Sequence, residues 1–161
     1  MTNKHTISVL VQNEFGVLAR VSGMFAARGY NIDSLSVAPT LDPMISHITM
    51  ETSGSQEIVE QIIKQLNRLI DVVKVADLTG SQFITRETIL VKVRIQEKNR
   101  AEVLKTGELF RCEVADAAKK SVTFQLTGEK EQVESFLKLV EPYGVVELVR
   151  TGTIAISRGE S

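Results

Sequence analysis

The spacing of apolar residues changes period in a fixed order through the first half of this chain, and few folds accept that order. Ile7, Val9 and Val11 alternate with Thr6, Ser8 and Gln12, the period of two of a strand with one buried face; Leu10 is the apolar exception. Asn13-Glu14-Phe15-Gly16 interrupts the alternation. Val17, Leu18, Val21, Met24 and Phe25 then recur on one helical face, closed by Arg28-Gly29 as a cation and a left-handed cap. A strand over Asn31 to Ala38, a proline turn and a strand over Met44 to Thr52 follow. Ile58, Val59, Ile62, Ile63 and Leu66 mark a second helix, and Ile70 to Leu78 is a β-branched strand.

The order βαββαβ is that of the ferredoxin-like fold. It returns after Thr79-Gly80-Ser81-Gln82: a strand over Thr88 to Gln96, a helix over Asn99 to Phe110, strands over Arg111 to Asp116 and Ser121 to Thr127, a helix after Gly128, and a strand over Val145 to Arg150. Asn99 with Glu102 three residues on reads as a capping box. The fold class expected is α+β, with two ferredoxin-like modules as domains over residues 1–79 and 80–161. The tail from Thr151 adds a short strand at Ile154 to Ile156 and then frays.

Composition removes several functions. Lys and Arg number 19 against 20 Asp and Glu, so the basic excess of a general nucleic-acid binder is missing. Neither module shows a stacking strand of aromatics, and Lys119-Lys120 reads as a solvated turn. The one cysteine, Cys112, forms no internal disulfide and no CxxC site, which suits a reducing compartment. His5 and His47 with that cysteine make no metal constellation. Neither a secretory signal nor a membrane-length apolar run stands out, so the expected location is the cytoplasm.

Catalytic groups are equally scarce. His47 falls on the polar side of a strand, as a solvated or interface histidine; His5 sits in an N-terminus expected to be mobile. Arg111 beside Cys112 would favour the thiolate, but no histidine accompanies it. Glu14 has no partner, and Glu129 and Glu131 read as charges in a first helical turn. Gly-x-Gly-x-x-Gly and Walker motifs are absent. A chain without dyad, triad or metal cluster is expected not to catalyse by itself.

The informative segment is Asn13 to Leu18. It leads a strand into a helix start, where unpaired N–H groups and a partial positive charge suit a carboxylate. Gly16 lets a ligand approach the backbone, and the Asn13 and Asn31 amides can meet a carboxylate or an ammonium. The same residues have plain structural uses: Asn13 as a cap, Gly16 for close helix–sheet packing, Asn31 in the turn. Residue chemistry alone leaves both uses open.

The run Asn13-x-x-Gly16-Val17-Leu18-x-Arg20-Val21, followed by Arg28-Gly29-Tyr30-Asn31-Ile32-Asp33-Ser34-Leu35-Ser36-Val37-Ala38-Pro39-Thr40, resembles an ACT domain. More narrowly it resembles the small regulatory subunits of acetohydroxyacid synthase (acetolactate synthase). Gln65 to Val72, Glu87 to Val93 and the ending Arg150-Thr151-Gly152 to Ser157-Arg158-Gly159 are similar to that family too, so the likeness spans the chain. It implies that the first module is an ACT domain for effector binding and dimerisation. It implies a partner, the large catalytic subunit, which this chain activates and places under feedback inhibition by valine or another branched-chain amino acid. Thiamine diphosphate, Mg²⁺ and FAD would belong to that partner. The effector residues implied are Asn13, Gly16, Val17, Leu18, Asn31 and Ala38, at an interface between two copies.

The second strand of such a sheet lies at an edge, where two copies can pair and bring Asn31 of one beside the Asn13–Gly16 loop of the other. The rivals are a stand-alone hydrolase on this fold, with Asn13 and Arg20 as an anion cradle, and an ACT-type sensor acting on another enzyme. The first is disfavoured because Arg20 falls on the helix rather than in the loop.

Overall fold

A computed structural model describes residues 3–159. The expected fraying at residues 160 and 161 lies outside them. The chain divides into two compact units, one running to Ile84 and including the tail from Thr153, the other Thr85–Gly152. The sequence places the division near residue 80 and the tail in the second module; local periodicity carries no information on such a long-range return.

The first unit contains β1 (Asn3–Gln12), α1 (Val17–Ala27), β2 (Ile32–Pro39), β3 (Ile45–Gly54), α2 (Gln56–Arg68) and β4 (Val72–Asp77). Its sheet is antiparallel with order β2-β3-β1-β4, so β2 is an edge as expected. Ile7, Val9 and Val11 of β1 and Ile48 and Met50 of β3 meet Val21 and Phe25 of α1 and Val59, Ile62 and Leu66 of α2 in a buried core. Each such side chain contributes about 1.5–3 kcal/mol by leaving water.

Helix α1 stops at a Schellman motif. Gly29 has φ 70°; its N–H donates to Ala26 O at 3.2 Å, and Tyr30 N–H donates to Phe25 O at 2.9 Å. The Phe25 and Tyr30 rings meet edge to face at 6.0 Å, locking the exit into β2. Ser55 caps α2, accepting from Ile58 N–H at 3.3 Å.

The second unit repeats the order with β5 (Phe83–Arg94), whose first two residues belong to the first unit, α3 (Arg100–Leu109), β6 (Glu113–Ala117), β7 (Ser121–Gly128), α4 (Lys130–Val140) and β8 (Val145–Arg150). Strand order is β6-β7-β5-β8, and the tail strand β9 (Ile154–Ser157) pairs with β5. The expected capping box at Asn99 does not form: its side-chain oxygen accepts from Gln96 N–H at 2.7 Å and leaves α3 uncapped.

Gly107 sets how closely α3 approaches its sheet. A Cβ there would lie 2.4 Å from the Phe124 ring, which is held edge to face against Phe136 at 5.6 Å. Gly107→Ala should therefore destabilise this unit by about 1–2 kcal/mol, the overpacking cost exceeding the gain of roughly 1 kcal/mol in helix propensity. Gly23→Ala, in α1 with open space around it, should stabilise by up to about 1 kcal/mol. Denaturant unfolding of both variants checks the pair, and a Gly107→Ala chain more stable than the parent would contradict this packing.

Candidate functional site

Three hydrogen bonds fix the loop that follows β1. Gln12 N–H donates to Asp71 O at 2.8 Å, and Asn13 N–H to Met44 O at 2.8 Å. The Asn13 amide donates to Pro43 O at 3.0 Å. Asn13 thus ties the loop to the β2–β3 turn and does not cap α1. The N-cap is Gly16, at φ 79° and with no side chain capping the helix. The first regular helical donor is Arg20 N–H, bonded to Gly16 O at 2.9 Å. The N–H groups of Leu18 and Ala19, two residues before it and one, have no carbonyl one turn back within the helix. Asn13, Glu14 and Phe15 line a cavity of about 600 Å³ at this point. Phe15 is fully exposed, Leu18 half-exposed, and the Val17 side chain buried in the core, so Val17 offers only backbone.

Arg20 corrects one expectation. It stands on α1, but its side chain folds back over the loop. Nε donates to Asp71 Oδ2 at 2.7 Å, Nη2 donates to Phe15 O at 3.4 Å, and Nη1 lies 3.0 Å from where a Cβ on Gly16 would sit. The buried Asp71 carboxylate holds the guanidinium charged, raising its pKa. The signal was in the spacing: helical side chains lean toward the N-terminus, and Arg20 is one turn past Gly16.

Asn31 and Ala38 mark the two ends of β2. The Asn31 amide donates to the Asp33 carboxylate, and its carbonyl accepts from Thr52 Oγ1 at 2.6 Å. Ala38 is exposed, opposite His47 near the Asn13 end of the sheet. Seven residues of strand, roughly 23 Å at about 3.3 Å each, separate Asn31 from Ala38. Asn31 therefore does not line the loop cavity of its own chain.

The other reactive groups have structural settings. His5, expected in a mobile segment, is buried in β1, 3.8 Å from Asp77; pairing of β1 with β3 as far as Asn3↔Gly54 holds it there. Burial pushes the Cys112 thiol up to about 11, which overrides its basic neighbour and makes it a poor nucleophile. His47 is half-buried, with Nε2 2.7 Å from Ser8 Oγ. Among the described residues no group of three metal-ligating side chains exists, and no helix is long and apolar enough to cross a membrane.

Comparison with known proteins decides the family. Residues 7–74 match the model of the ACT domain of acetohydroxyacid synthase small subunits. Residues 86–159 match that of the small subunit of acetolactate synthase. The chain belongs to the acetolactate synthase small-subunit family. The small subunit of Haemophilus influenzae is 44% identical over 98% of this chain and 97% of its own. A probable small subunit of Archaeoglobus fulgidus is 42% identical over 97% and 98%. The crystal structure of the Thermotoga maritima small subunit is 33% identical and covers 99% of both chains with a TM-score of 0.90.

In this family catalysis lies in the large subunit. The small subunit is regulatory and not an enzyme by itself, so the stand-alone hydrolase reading is dropped. Arg20, its required cation, is in any case committed to Asp71.

Burial lowers the pKa of His47 from the ordinary 6.5. The unfolded chain then binds a proton that the folded chain resists, so stability falls as pH drops through 6.5 toward the folded-state value. Denaturant midpoints at about pH 7.5 and pH 5.5 should show this loss in the parent and a smaller one in His47→Gln. An identical loss in both would remove His47 as its source.

Proposed function

We propose that this subunit binds the large catalytic subunit of acetolactate synthase, raises its activity and imposes feedback inhibition by valine, held where two copies of the first unit meet along their β2 edges. The observation that carries this reading is the start of α1: a glycine N-cap at φ 79° with no side-chain cap, opening on a cavity at Asn13 to Phe15. Backbone N–H groups and the helix dipole there would hold the effector carboxylate. Two-fold antiparallel pairing of β2 would carry Asn31 of one chain toward the Ala38 and Asn13 end of the other. The side-chain amide oxygen of Asn31 and the Asp33 carboxylate would receive the ammonium. Leu18 would meet the aliphatic side chain, while Gly16 and Val17 would contribute backbone.

Thiamine diphosphate, Mg²⁺ and FAD belong to the large subunit in this reading, and the complex works in the cytoplasm. Inhibition requires that valine bind the less active state of the complex better than the more active one.

Acetolactate formation from pyruvate by the complex, with and without valine, tests the reading on Asn31→Ala and Gly16→Asp. Asn31→Ala removes charge-assisted hydrogen bonds of about 1.5–3 kcal/mol, a loss of roughly 10- to 150-fold in valine sensitivity. Gly16→Asp places a charge against the effector carboxylate; it also costs about 1–2 kcal/mol of stability, because its φ is left-handed. Both should still activate the large subunit. Unchanged valine inhibition in both would sink the proposed site.

A further inference from the structure

The face of the first unit's sheet turned away from α1 and α2 carries a second cavity, of about 270 Å³. Alternation along β1 puts Ile7, Val9 and Val11 in the core and Ser8 and Leu10 on this face. His47 is opposite Leu10 on β3, and Lys74 and Ala76 of β4 are opposite Leu10 and Ser8. β9 packs against β3 and closes the space with Ala155 and Ile156. All of these residues lie within the first unit.

The lining has two kinds of wall. Leu10, Ala76, Leu78 and Ala155 are aliphatic, and Leu78 and Ala155 are buried. Ser8, His47, Lys74 and Ser157 are polar. Lys74 has no acidic partner among the described residues. Ser8 Oγ and His47 Nε2 share one hydrogen bond at 2.7 Å. Neutral histidine and serine together have two donors. Whichever tautomer is present, one bond uses one donor, and either the Ser8 hydroxyl or His47 Nδ1–H is left over.

We propose that this cavity is a second small-molecule site, distinct from the loop at Gly16, and that it takes a short aliphatic monocarboxylate. The ammonium of Lys74 and the spare donor of the Ser8–His47 pair meet the carboxylate, and the aliphatic wall takes the hydrocarbon. A volume of 270 Å³ equals the share of about nine waters at ~30 Å³ each, room for six to nine non-hydrogen atoms. The lining carries no carboxylate, so the α-ammonium of an amino acid would lose its hydration without a counter-charge. This separates the ligand class from the zwitterion proposed at the loop. Because β9 forms part of the wall, ligand stabilises the chain with its tail in place.

The test uses the full chain and 3-methylbutanoate, with valine, 3-methylbutan-1-ol and inorganic phosphate as comparison probes. Amide chemical shifts should move saturably at millimolar 3-methylbutanoate for Ser8, Leu10 and Ala76, and hydrogen exchange at Ile154–Ser157 should slow. Lys74→Met should weaken binding about tenfold or more and Lys74→Arg should retain it, both folding as the parent does because Lys74 is exposed. The alcohol and valine should bind this cavity more weakly than the acid. Shifts confined to Asn13–Leu18, equal binding by phosphate, binding unchanged in Lys74→Met, or no saturable shift at all would each overturn the proposal.

Discussion

β1 is hydrogen-bonded on both sides, and the geometry of both ends of the first unit follows from that. Its ten consecutive pairs with β3 run from Asn3↔Gly54 to Gln12↔Ile45. A slip of one residue would turn Ile7, Val9 and Val11 out of the core and Ser8 and Leu10 into it, so the register is fixed by the buried face. The same register sets Asn13 against the β2–β3 turn, where its backbone and amide both find carbonyls. The loop is held at its base, and what it presents outward is the bare start of α1.

The charge at that start is balanced. Arg20 would be a strong anion ligand if free, but Asp71 neutralises it at 2.7 Å. An incoming carboxylate then meets the partial positive charge of the helix terminus, opposed by the Glu14 carboxylate on the same cavity wall. A weak, directional positive end suits a zwitterion that must also be released as its concentration changes; a full cation at the loop would favour any anion. In the proposed dimer the edge strand would supply the opposite pole, through Asp33 and the Asn31 side-chain amide, at the other end of β2. One chain holds the two poles apart by the length of a strand.

Most of the element order was legible because each switch of period leaves a local trace. Gly29 could be read as a left-handed cap from its place after Arg28, and φ 70° is what it adopts. The features that were not legible depend on partners distant in sequence. His5 is buried because β3 extends to Gly54 and pairs beyond Thr6. Asn99 fails as a cap because Gln96 N–H competes for its oxygen. Cys112 is set by desolvation, not by the adjacent Arg111. Within the candidate site, Asn13 and Gly16 were placed correctly at the loop, but the return of Arg20 over Gly16 needed the direction of helical side chains as well as their spacing.

In the proposed dimer each effector site is built from the loop of one chain and the Asn31 end of its partner. Subunit mixing tests this directly. A chain carrying Asn13→Ala and a chain carrying Asn31→Ala would each form dimers with both sites damaged. A mixed dimer would contain one site with two intact halves and one with neither. Valine inhibition of acetolactate synthase should therefore be absent with either variant alone and partly restored when the two are co-refolded and added together. A mixture as insensitive to valine as either variant by itself would contradict the shared site.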